Sequence, residues 1–314
     1  MGNDTIDYSV IIPVYFNEGS LEKTFQQLNE KVISQNKDKK GEIIFVDDGS
    51  EDSSLEELIQ IQKENPRLVK VVKFTRNFGQ YSAKLAGHKL AKGKCMISIA
   101  ADLQDPPELI NLMLYHFFND KYDIVAGTRT TRDESFYRRI TSKMFYSILK
   151  KLVFKNFPMQ GFDFHLVSRR VTNLIIANKE ANPFFQGQLL WTGFKIKYLS
   201  YKREKRDVGK SRWTLAKKVK LLIDAVLSYS YFPIRLMSVF GLVTSVLGFI
   251  WAIWIFVGRL LGTTPVKGWA PMMIMILVLS GIQMIMLGII GEYLWRTLDQ
   301  VRNRQPYIIE EIYE

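Results

Sequence analysis

The chain contains very little cysteine, with Cys95 as its single thiol among 314 residues. One thiol excludes both a disulfide framework and a metal site built from several thiolates, and it indicates folding in a reducing compartment. Disorder is excluded by composition, because 47 % of the residues are apolar and 24 % are charged. The sequence therefore predicts a folded chain of about two domains without covalent cross-links.

Two common phosphate-binding motifs are absent as well. No Gly-x-Gly-x-x-Gly follows the first apolar run, which excludes the usual dinucleotide fingerprint, and Glu204 stands where a P-loop ending at Gly209-Lys210-Ser211 would have its first glycine. Phosphate must be held in another way, and a divalent cation near Asp102, with Gln104 as a second oxygen ligand, is the obvious means. An aspartate at a strand end can instead cap the following helix, so this pattern alone leaves both interpretations open.

Acidic side chains are scarce in the second half of the chain. Residues 1–134 contain 17 basic and 21 acidic side chains, whereas residues 135–314 contain 26 and 10, a net charge of +16. A basic segment beside a membrane attracts anionic headgroups, at about 1 kcal/mol per Lys or Arg. Because this charge adjoins two apolar runs, the sequence favours a membrane surface over nucleic acid as the partner.

Two long runs lack charge altogether. Between Arg235 and Arg259 there are 23 uncharged residues, and between Lys267 and Glu292 there are 24. At about 1.5 Å per residue either run crosses a hydrocarbon core of roughly 30 Å, which predicts transmembrane helices over 236–258 and 268–291. Two buried helices of a soluble core are the alternative. Because the flanks of this hairpin are rich in Lys and Arg, both of its ends are predicted to face the cytoplasm.

Short apolar, β-branched runs alternate with amphipathic helical stretches in the first part of the chain. This alternation predicts a βαβα series, hence a mostly parallel sheet covered on both faces, with ligands at the carboxyl ends of its strands. Polar residues follow every predicted strand, as such a site requires. The predicted strands are Tyr8–Val14, Glu42–Val46, Val69–Phe74, Met96–Ala100 and Tyr122–Ala126, and the predicted helices lie at 20–35, 53–63, 80–91 and 107–118.

Eight segments, in order and spacing, carry a resemblance to a known family. The first four resemble the inverting family 2 glycosyltransferases, which have a GT-A fold: PVYFNEG at 13–19, VDDGSED at 46–52, ADLQDPPELI at 101–110 and GTR at 127–129. The other four resemble the polyprenyl-phosphate branch of that family, with two carboxy-terminal spans: GFDFHLVSRR at 161–170, QGQLLWTGF at 186–194, GKSRW at 209–213 and GEYLWR at 291–296.

The resemblance implies a domain organisation. A Rossmann-like GT-A catalytic domain over residues 1–230 would include juxtamembrane amphipathic helices at 136–154 and 213–232, followed by a transmembrane hairpin over 231–295 and a cytoplasmic tail over 296–314. No signal peptide precedes the first strand, so we expect the catalytic domain and the carboxyl terminus on the cytoplasmic side of the inner membrane. A homotetramer is implied by the family alone.

Acidic segments at two strand ends hold the nucleotide in this family. Carried over, the resemblance implies that Pro13, Tyr15 and Glu18 lie beside the base. Asp48 then lies near the uridine, with Asp47 as its neighbour, where a carboxylate can accept a hydrogen bond from a base N–H or a ribose hydroxyl. The other interpretation of both aspartates is a capped start of the following helix.

The metal-binding pattern of the family is Asp-x-Asp-x-Gln, and this chain departs from it. Ala100 occupies the first position, which leaves Asp102 and Gln104 to hold Mg²⁺ or Mn²⁺. The site is then weaker, completed by water and diphosphate oxygens, or rescued by another carboxylate such as Asp163. Mg²⁺ commonly binds through one or two carboxylates plus substrate phosphates, so Asp102 can still serve both the metal and the nucleotide.

The implied reaction joins one sugar to a lipid. A polyprenyl phosphate such as undecaprenyl phosphate would attack the anomeric carbon of UDP-glucose or another UDP-hexose, with inversion. A phosphate monoester has a second pKa of about 6, so the acceptor is largely ionised at neutral pH and needs no strong base. Asp163 is therefore as well suited to bind metal or orient the sugar as to act as a base. The expected countercharges are Arg129, near the leaving diphosphate, and four groups for the acceptor phosphate: Arg132, Arg206, Lys210 and Arg212.

Three alternatives compete with this reaction. A processive polysaccharide synthase is disfavoured, because two spans offer little for a translocation channel and no Gln-x-x-Arg-Trp motif stands near them. A nucleotide-sugar-binding membrane scaffold without activity is motivated by Ala100. Transfer to a lipid-linked saccharide is the third. The kind of product formed from a labelled nucleotide sugar distinguishes them.

Overall fold

The computed structural model describes residues 5–130, 136–158, 161–178, 180, 183–203, 215–261 and 268–314. Within these residues the chain forms one eight-stranded sheet with the order β7-β5-β6-β4-β1-β2-β3-β8. Six strands run in one direction and β6 and β8 run in the other, so the sheet is mixed and mostly parallel. The strands are β1 (Tyr8–Val14), β2 (Gly41–Asp47), β3 (Val69–Phe74), β4 (Cys95–Ser98), β5 (Ile124–Arg129), β6 (His165–Ser168), β7 (Ile196–Tyr201) and β8 (Ile309–Tyr313).

In the part of the chain that the structure describes, seven α-helices lie between the strands of the sheet in chain order, and three more follow its seventh strand. Those between Leu21 and Trp191 are α1 (Leu21–Leu28), α2 (Ser54–Glu64), α3 (Gln80–Leu90), α4 (Leu109–Phe118), α5 (Phe136–Leu152), α6 (Arg169–Ala177) and α7 (Phe185–Trp191). A π-helical turn, Asn29–Ile33, continues α1. Three longer helices follow β7: α8 (Leu215–Tyr229), α9 (Phe232–Leu260) and α10 (Trp269–Arg302).

Burial of the central strands on both faces makes the core. In β1, alternate residues point to opposite faces, so Val10 and Ile12 pack in one apolar cluster and Ile11 packs in the other. All three side chains are fully buried. This explains why the strand reads as a continuous apolar run rather than as an alternating one, which is typical of parallel strands between two helical layers.

The sequence predicted most of these elements closely. The structure has β1 and β3 at the predicted bounds, and the predicted helices at 53–63, 80–91 and 107–118 agree with α2, α3 and α4 to within two residues. The elements that the sequence did not predict are β6, β7, β8, α6 and α7. The strand β6 is only four residues long, and β7 is rich in polar residues, so neither gives a clear apolar signal.

The segment predicted as a tail, 296–314, completes α10 and then returns to the sheet as β8. Strand β8 pairs antiparallel with β3, with Val72 opposite Ile312. The Tyr307 ring stacks on Phe74 with the centroids 5.2 Å apart and the planes at 4°. Ser82 Oγ donates a hydrogen bond of 2.8 Å to the Pro306 carbonyl oxygen. The last residues therefore cover an edge of the sheet that would otherwise expose unpaired backbone groups.

The two helices α9 and α10 are long and apolar enough to cross a membrane. Their apolar stretches, Phe232–Gly258 and Pro271–Arg302, contain 27 and 32 residues. Helix α10 continues 11 residues beyond the predicted end of its span at 291, and Arg296 in this extension lies 2.6 Å from Asp224 of α8. Because β8 follows α10 directly and pairs with β3, the chain returns from this helical hairpin to the sheet that contains β1 to β7.

Replacing Tyr307 with alanine should destabilise the fold, because it removes the stacked contact with Phe74 while leaving β8 its backbone pairing. We expect a loss of about 1–3 kcal/mol in the free energy of unfolding. Thermal unfolding of the full chain in detergent measures it, at about 2–4 °C per kcal/mol for a domain of this size. Arg304→Ala, an exposed change just before the strand, is the control. Equal melting temperatures for both variants would contradict the role of Tyr307.

Candidate active site

The parallel register brings the ends of the central strands to one edge of the sheet. Val14 at the end of β1 lies opposite Asp47 at the end of β2, and Asp47 lies opposite Lys73 of β3. The loops after these strands contact one another, because Ser50 Oγ accepts a 3.0 Å hydrogen bond from the Phe16 N–H. The polar residues predicted to follow the strands are therefore adjacent in space.

Asp48 fastens the loop that follows β3. Its Oδ1 accepts a 2.7 Å hydrogen bond from the Phe78 N–H, and its Oδ2 accepts from the Gly79 N–H at 2.9 Å and from Asn77 Nδ2 at 3.1 Å. Burial, together with a smaller effect of neighbouring Asp47, raises the pKa of Asp48 to about 6 against these hydrogen bonds. The Asp48 carboxylate thus shapes the edge of the predicted nucleotide site.

A close backbone approach requires a glycine next to Asp48. Gly49 has a φ of +69°, and a Cβ added there would lie 2.5 Å from the Arg76 carbonyl carbon. Only a residue without a side chain fits both the left-handed backbone and the gap between the β2–α2 and β3–α3 loops.

The other predicted nucleotide residues lie around this pair. Asp47 is fully buried and accepts hydrogen bonds from the Ser50 N–H at 3.3 Å, and burial raises its pKa. This contact closes a turn after β2 and does not cap the following helix, because α2 begins only at Ser54. Pro13 and Tyr15 are half-buried and Glu18 is exposed at the same edge. The Tyr15 ring contacts Phe16 edge to face, with the centroids 4.6 Å apart.

The predicted metal ligands lie in a tight turn after β4. Leu103 has a φ of +52°, an unusual conformation for a branched side chain, and it separates Asp102 from Gln104. The Gln104 N–H donates a 3.3 Å hydrogen bond to Asp102 Oδ1. Asp102 Oδ2 lies 4.0 Å from a guanidinium nitrogen of Arg203, and 10 % of the Asp102 side chain is exposed. Asp102 therefore sits at the edge of a charged cluster.

Asp105 belongs to that cluster and lies before helix α4 rather than at its cap. The Tyr201 hydroxyl donates a 2.5 Å hydrogen bond to Asp105 Oδ1, and Arg203 Nε lies 3.5 Å from the same oxygen. Helix α4 begins only at Leu109. Asp105 is buried, so its charge is balanced by Arg203 and by nearby Arg129 rather than by water.

Asp163 and Arg129 lie together on the far side of the cluster. Arg129 Nη2 lies 3.4 Å from Asp163 Oδ2, and Gln186 Nε2 donates a 2.8 Å hydrogen bond to Asp163 Oδ1. Burial lowers the pKa of Arg129, but the carboxylates of Asp163 and Asp105 raise it by more, so the guanidinium stays charged. Just over half of the Asp163 side chain, 54 %, is exposed. Its carboxylate is fixed yet accessible.

Comparisons with known proteins agree with this geometry. Residues 9–175 match the model of "Glycosyl transferase family 2", which is more than half of the chain. The chain belongs to this family.

Relatives of this family 2 glycosyltransferase match it over nearly the full length. The chain is 37 % identical to the uncharacterized glycosyltransferase YkcC of Bacillus subtilis, over 98 % of this chain and 94 % of that protein. It is 32 % identical to a prophage-derived bactoprenol glucosyl transferase of Shigella flexneri, over 96 % and 97 %.

A solved structure supports the GT-A fold of this glycosyltransferase. Glucosyl-3-phosphoglycerate synthase from Mycobacterium tuberculosis, in complex with Mn²⁺ and UDP-glucose, is similar with a TM-score of 0.50. The similarity covers 71 % of this chain and 77 % of that one at 16 % sequence identity. At that identity the likeness concerns the fold alone.

Within its described residues, this glycosyltransferase offers few metal ligands. The residues that the structure describes contain no group of three or more His, Cys, Asp or Glu side chains able to hold a metal. Asp102 supplies a carboxylate and Gln104 an amide oxygen, which suits a cation that takes its remaining ligands from a diphosphate and water. Asp163 is engaged by Arg129 and Gln186, so the structure gives no support for its rescue of the metal site.

The sequence did not single out four of the contacting residues: Lys84, Gln186, Tyr201 and Arg203. Gln186 lies in the QGQLLWTGF motif, and Arg203 lies in the basic second half of the chain, before the first uncharged run. Nothing in the sequence marks Lys84, because a lysine is common on an amphipathic helix such as α3. His165 is fully buried, and its Nδ1 lies 2.9 Å from the Asp163 carbonyl oxygen.

The four predicted acceptor-phosphate residues, Arg132, Arg206, Lys210 and Arg212, lie outside the described residues. Their neighbouring amphipathic stretches are helical, as predicted. Helices α5 and α8 pack together through Leu149 and Ala225, which are both fully buried.

Gly49→Ala should be more damaging than Gly19→Ala. Both glycines have a φ near +70°, but an added Cβ meets the Arg76 backbone only at Gly49. The left-handed conformation alone costs about 1–2 kcal/mol, and we expect the clash at Gly49 to add about 1–3 kcal/mol. Thermal unfolding of both variants measures the difference, and equal destabilisation would show that the two loops separate freely.

Proposed function

We propose that this chain transfers a single sugar from UDP-glucose or another UDP-hexose to undecaprenyl phosphate, with inversion at the anomeric carbon. The observation that carries the proposal is the charged cluster of Asp102, Arg129, Asp163 and Arg203, built at the strand ends of a GT-A sheet that continues into two long apolar helices. The names of relatives as bactoprenol glucosyl transferases support this acceptor. The product would be a sugar donor for glycosylation of the cell envelope.

The reaction is a single displacement. A phosphate oxygen of the lipid forms a bond to the anomeric carbon, the bond from that carbon to the nucleoside diphosphate breaks, and UDP leaves on the opposite face with the electron pair. The lipid phosphate is largely ionised at neutral pH, since the second pKa of a phosphate monoester is about 6. The chain's main task is therefore electrostatic: it must bring two anions together and neutralise the leaving diphosphate.

Arg129 and Arg203 are suited to that task. Both guanidinium groups lie within reach of Asp105, and their side chains are only 11 % and 24 % exposed. Buried donors fixed by neighbouring carboxylates need little reorganisation during reaction, and charge interactions are stronger there than in water. We propose that Arg129 stabilises the leaving diphosphate and that Arg203 assists it.

Asp102 and Gln104 would hold Mg²⁺ or Mn²⁺, which would neutralise charge on the diphosphate. The Mn²⁺ in the similar synthase from Mycobacterium tuberculosis supports a divalent cation. Asp163 would orient the sugar rather than accept a proton, because the acceptor needs no strong base and Arg129 and Gln186 hold the two carboxylate oxygens in place.

The membrane half would bring the lipid to this site. We propose that α9 and α10 span the inner membrane, that the catalytic domain and the carboxyl terminus face the cytoplasm, and that Arg132, Arg206, Lys210 and Arg212 bind the acceptor phosphate. The pairing of β8 with β3 supports this topology, because it requires both ends of the hairpin on one side. Assembly into a homotetramer is part of the proposal.

Incubating the purified chain with labelled UDP-glucose and undecaprenyl phosphate tests the function. We expect one labelled single-sugar lipid of inverted configuration, lost in EDTA and restored by Mg²⁺ or Mn²⁺. Asp102→Asn should reduce turnover by about 100-fold or more without changing the melting temperature. Glu108→Gln, which alters a carboxylate that is 53 % exposed, is the control.

The same assay separates the alternatives. A polymer would indicate a polysaccharide synthase, and transfer only to a lipid-linked saccharide would indicate a different acceptor. Binding of nucleotide sugars without any product, across a panel of them, would indicate the scaffold that Ala100 motivates. Full activity in EDTA would refute the metal role of Asp102.

UDP-glucose binding should weaken as the pH falls through about 6. The pKa of Asp48 is raised to about 6, so its carboxylate is ionised above that pH and accepts from the 77–79 loop. Protonation removes part of this acceptor capacity and loosens the site. The effect on folding has the opposite sign: a raised carboxyl pKa favours the folded state at low pH, and this contribution is lost as the pH rises through about 6.

Calorimetric titration with UDP-glucose between pH 5 and 8 measures how its affinity depends on pH. UDP-glucose is a suitable ligand because its diphosphate contains no phosphate monoester that titrates in that range. We expect about a tenfold weaker affinity one unit below the pKa. The dependence should disappear in Asp48→Asn and persist in Glu51→Gln, an exposed neighbour. An unchanged pH profile in Asp48→Asn would assign the titration to another group.

A further inference from the structure

Lys84 is a buried cation beneath the candidate active site. It lies on the inner face of α3 among Ala83, Ala86, Gly87 and His88, and only 6 % of it is exposed. Lysine is rarely buried, because removing an ammonium group from water costs several kcal/mol unless other groups compensate. An apolar side chain would fill this space at lower cost, so stability alone does not account for a lysine here.

The ammonium group contacts the main chain of Asp163. Lys84 Nζ donates a 3.2 Å hydrogen bond to the Asp163 carbonyl oxygen. It also lies 5.7 Å from the centroid of the Phe185 ring, within the range of a cation–π contact. Burial, the largest effect, lowers the pKa of Lys84 overall and Arg129 lowers it as well, while the negative charges of Asp163 and Asp105 oppose this shift. The compensation therefore comes from the residues of the candidate site.

The same carbonyl oxygen has a second donor. His165 Nδ1 lies 2.9 Å from it, and burial lowers the pKa of His165 well below its usual value, so a neutral ring with its proton on Nδ1 completes the contact. The His165 ring packs on Phe185, with the centroids 4.7 Å apart. Two donors occupy both lone pairs of the Asp163 carbonyl oxygen, which restricts rotation of that peptide.

The Asp163 side chain is held from the other direction. Gln186 contacts one carboxylate oxygen at 2.8 Å and Arg129 contacts the other at 3.4 Å, while just over half of the side chain stays exposed to the site. A tilt of the Asp163 peptide would move the Cα–Cβ bond and break these two contacts. The orientation of the exposed carboxylate thus depends on the buried carbonyl oxygen below it.

We infer that Lys84 is a positioning residue for sugar transfer: by holding the main-chain oxygen of Asp163, its buried ammonium group keeps the Asp163 carboxylate aimed at the donor sugar. The inference rests on the proposed function for its effect on turnover. It also makes a structural statement about the 161–168 segment that holds whether or not the chain transfers sugar.

Lys84→Met removes the charge and keeps the length of the side chain. We expect kcat to fall about 10- to 100-fold, because a misplacement of about 1 Å at a reacting centre has effects of this size. The KM for UDP-glucose should change less than threefold, since the nucleotide is held at the other strand ends. The melting temperature should be unchanged or higher, because a buried charge has been removed. Lys89→Met, on the exposed face of the same helix, is the matched control.

A double-mutant cycle distinguishes positioning from a general packing defect. In an Asp163→Asn background Lys84→Met should reduce kcat less than threefold further, because Lys84 acts through Asp163. Equal losses in both backgrounds would overturn the inference. Should Lys84→Met not fold, Lys84→Gln, which keeps a hydrogen-bond donor, is subjected to the same cycle, with a smaller loss of kcat expected.

Hydrogen exchange separates this inference from the proposed function. Lys84→Met, or Lys84→Gln in its place, should increase deuterium uptake in peptides covering 161–168 and leave β1 to β3 unchanged, relative to Lys89→Met. Unaltered uptake in 161–168 would overturn the role of Lys84 even in an active enzyme. Failure of the wild-type chain to form a sugar lipid would refute the proposed function, while increased uptake in this segment would still support the contact that Lys84 makes.

Discussion

Parallel pairing of the central strands is the constraint on which the site depends. With β4, β1, β2 and β3 in parallel register, every loop that leaves a carboxyl end must emerge at the same edge of the sheet. The loops then interlock through polar contacts instead of forming independent turns. Asp48 binds the backbone of the loop after β3, and Gly49 leaves room for that loop to approach. A site with several separate polar segments becomes one continuous surface.

Buried charged side chains dominate the part of the site around Asp105 and Arg129. Asp105, Arg129 and Lys84 are removed from water, where each alone would carry a large desolvation penalty, and the negative charge of Asp105 offsets the charges of Arg129 and Lys84. In such surroundings hydrogen bonds and charges are stronger and less able to reorient than in water. A cluster of this kind is well matched to a reaction between two anions, because its charges are already in position before the substrates arrive.

The carboxyl terminus connects the sheet to the apolar hairpin. Strand β8 follows α10 directly, and its pairing with β3 closes the chain on the catalytic domain. Arg296 of α10 also contacts Asp224 of α8, so the hairpin is tied to α8 by an ion pair as well as by the chain itself. These connections restrict how far the candidate site can move from the apolar hairpin, beside which a lipid acceptor would lie.

The sequence by itself determined the elements whose physical signal is local. Short apolar, β-branched runs predicted β1 and β3, uncharged runs predicted α9 and α10, and polar residues after each strand predicted the edge of the site. Only the tertiary structure decided contacts that depend on partners distant in the chain. The pairing of Lys84 with the Asp163 carbonyl oxygen and the return of β8 to β3 are of this kind. Neither leaves a periodic pattern, because a buried ion and an edge strand are stabilised by what packs against them rather than by their own neighbours in sequence.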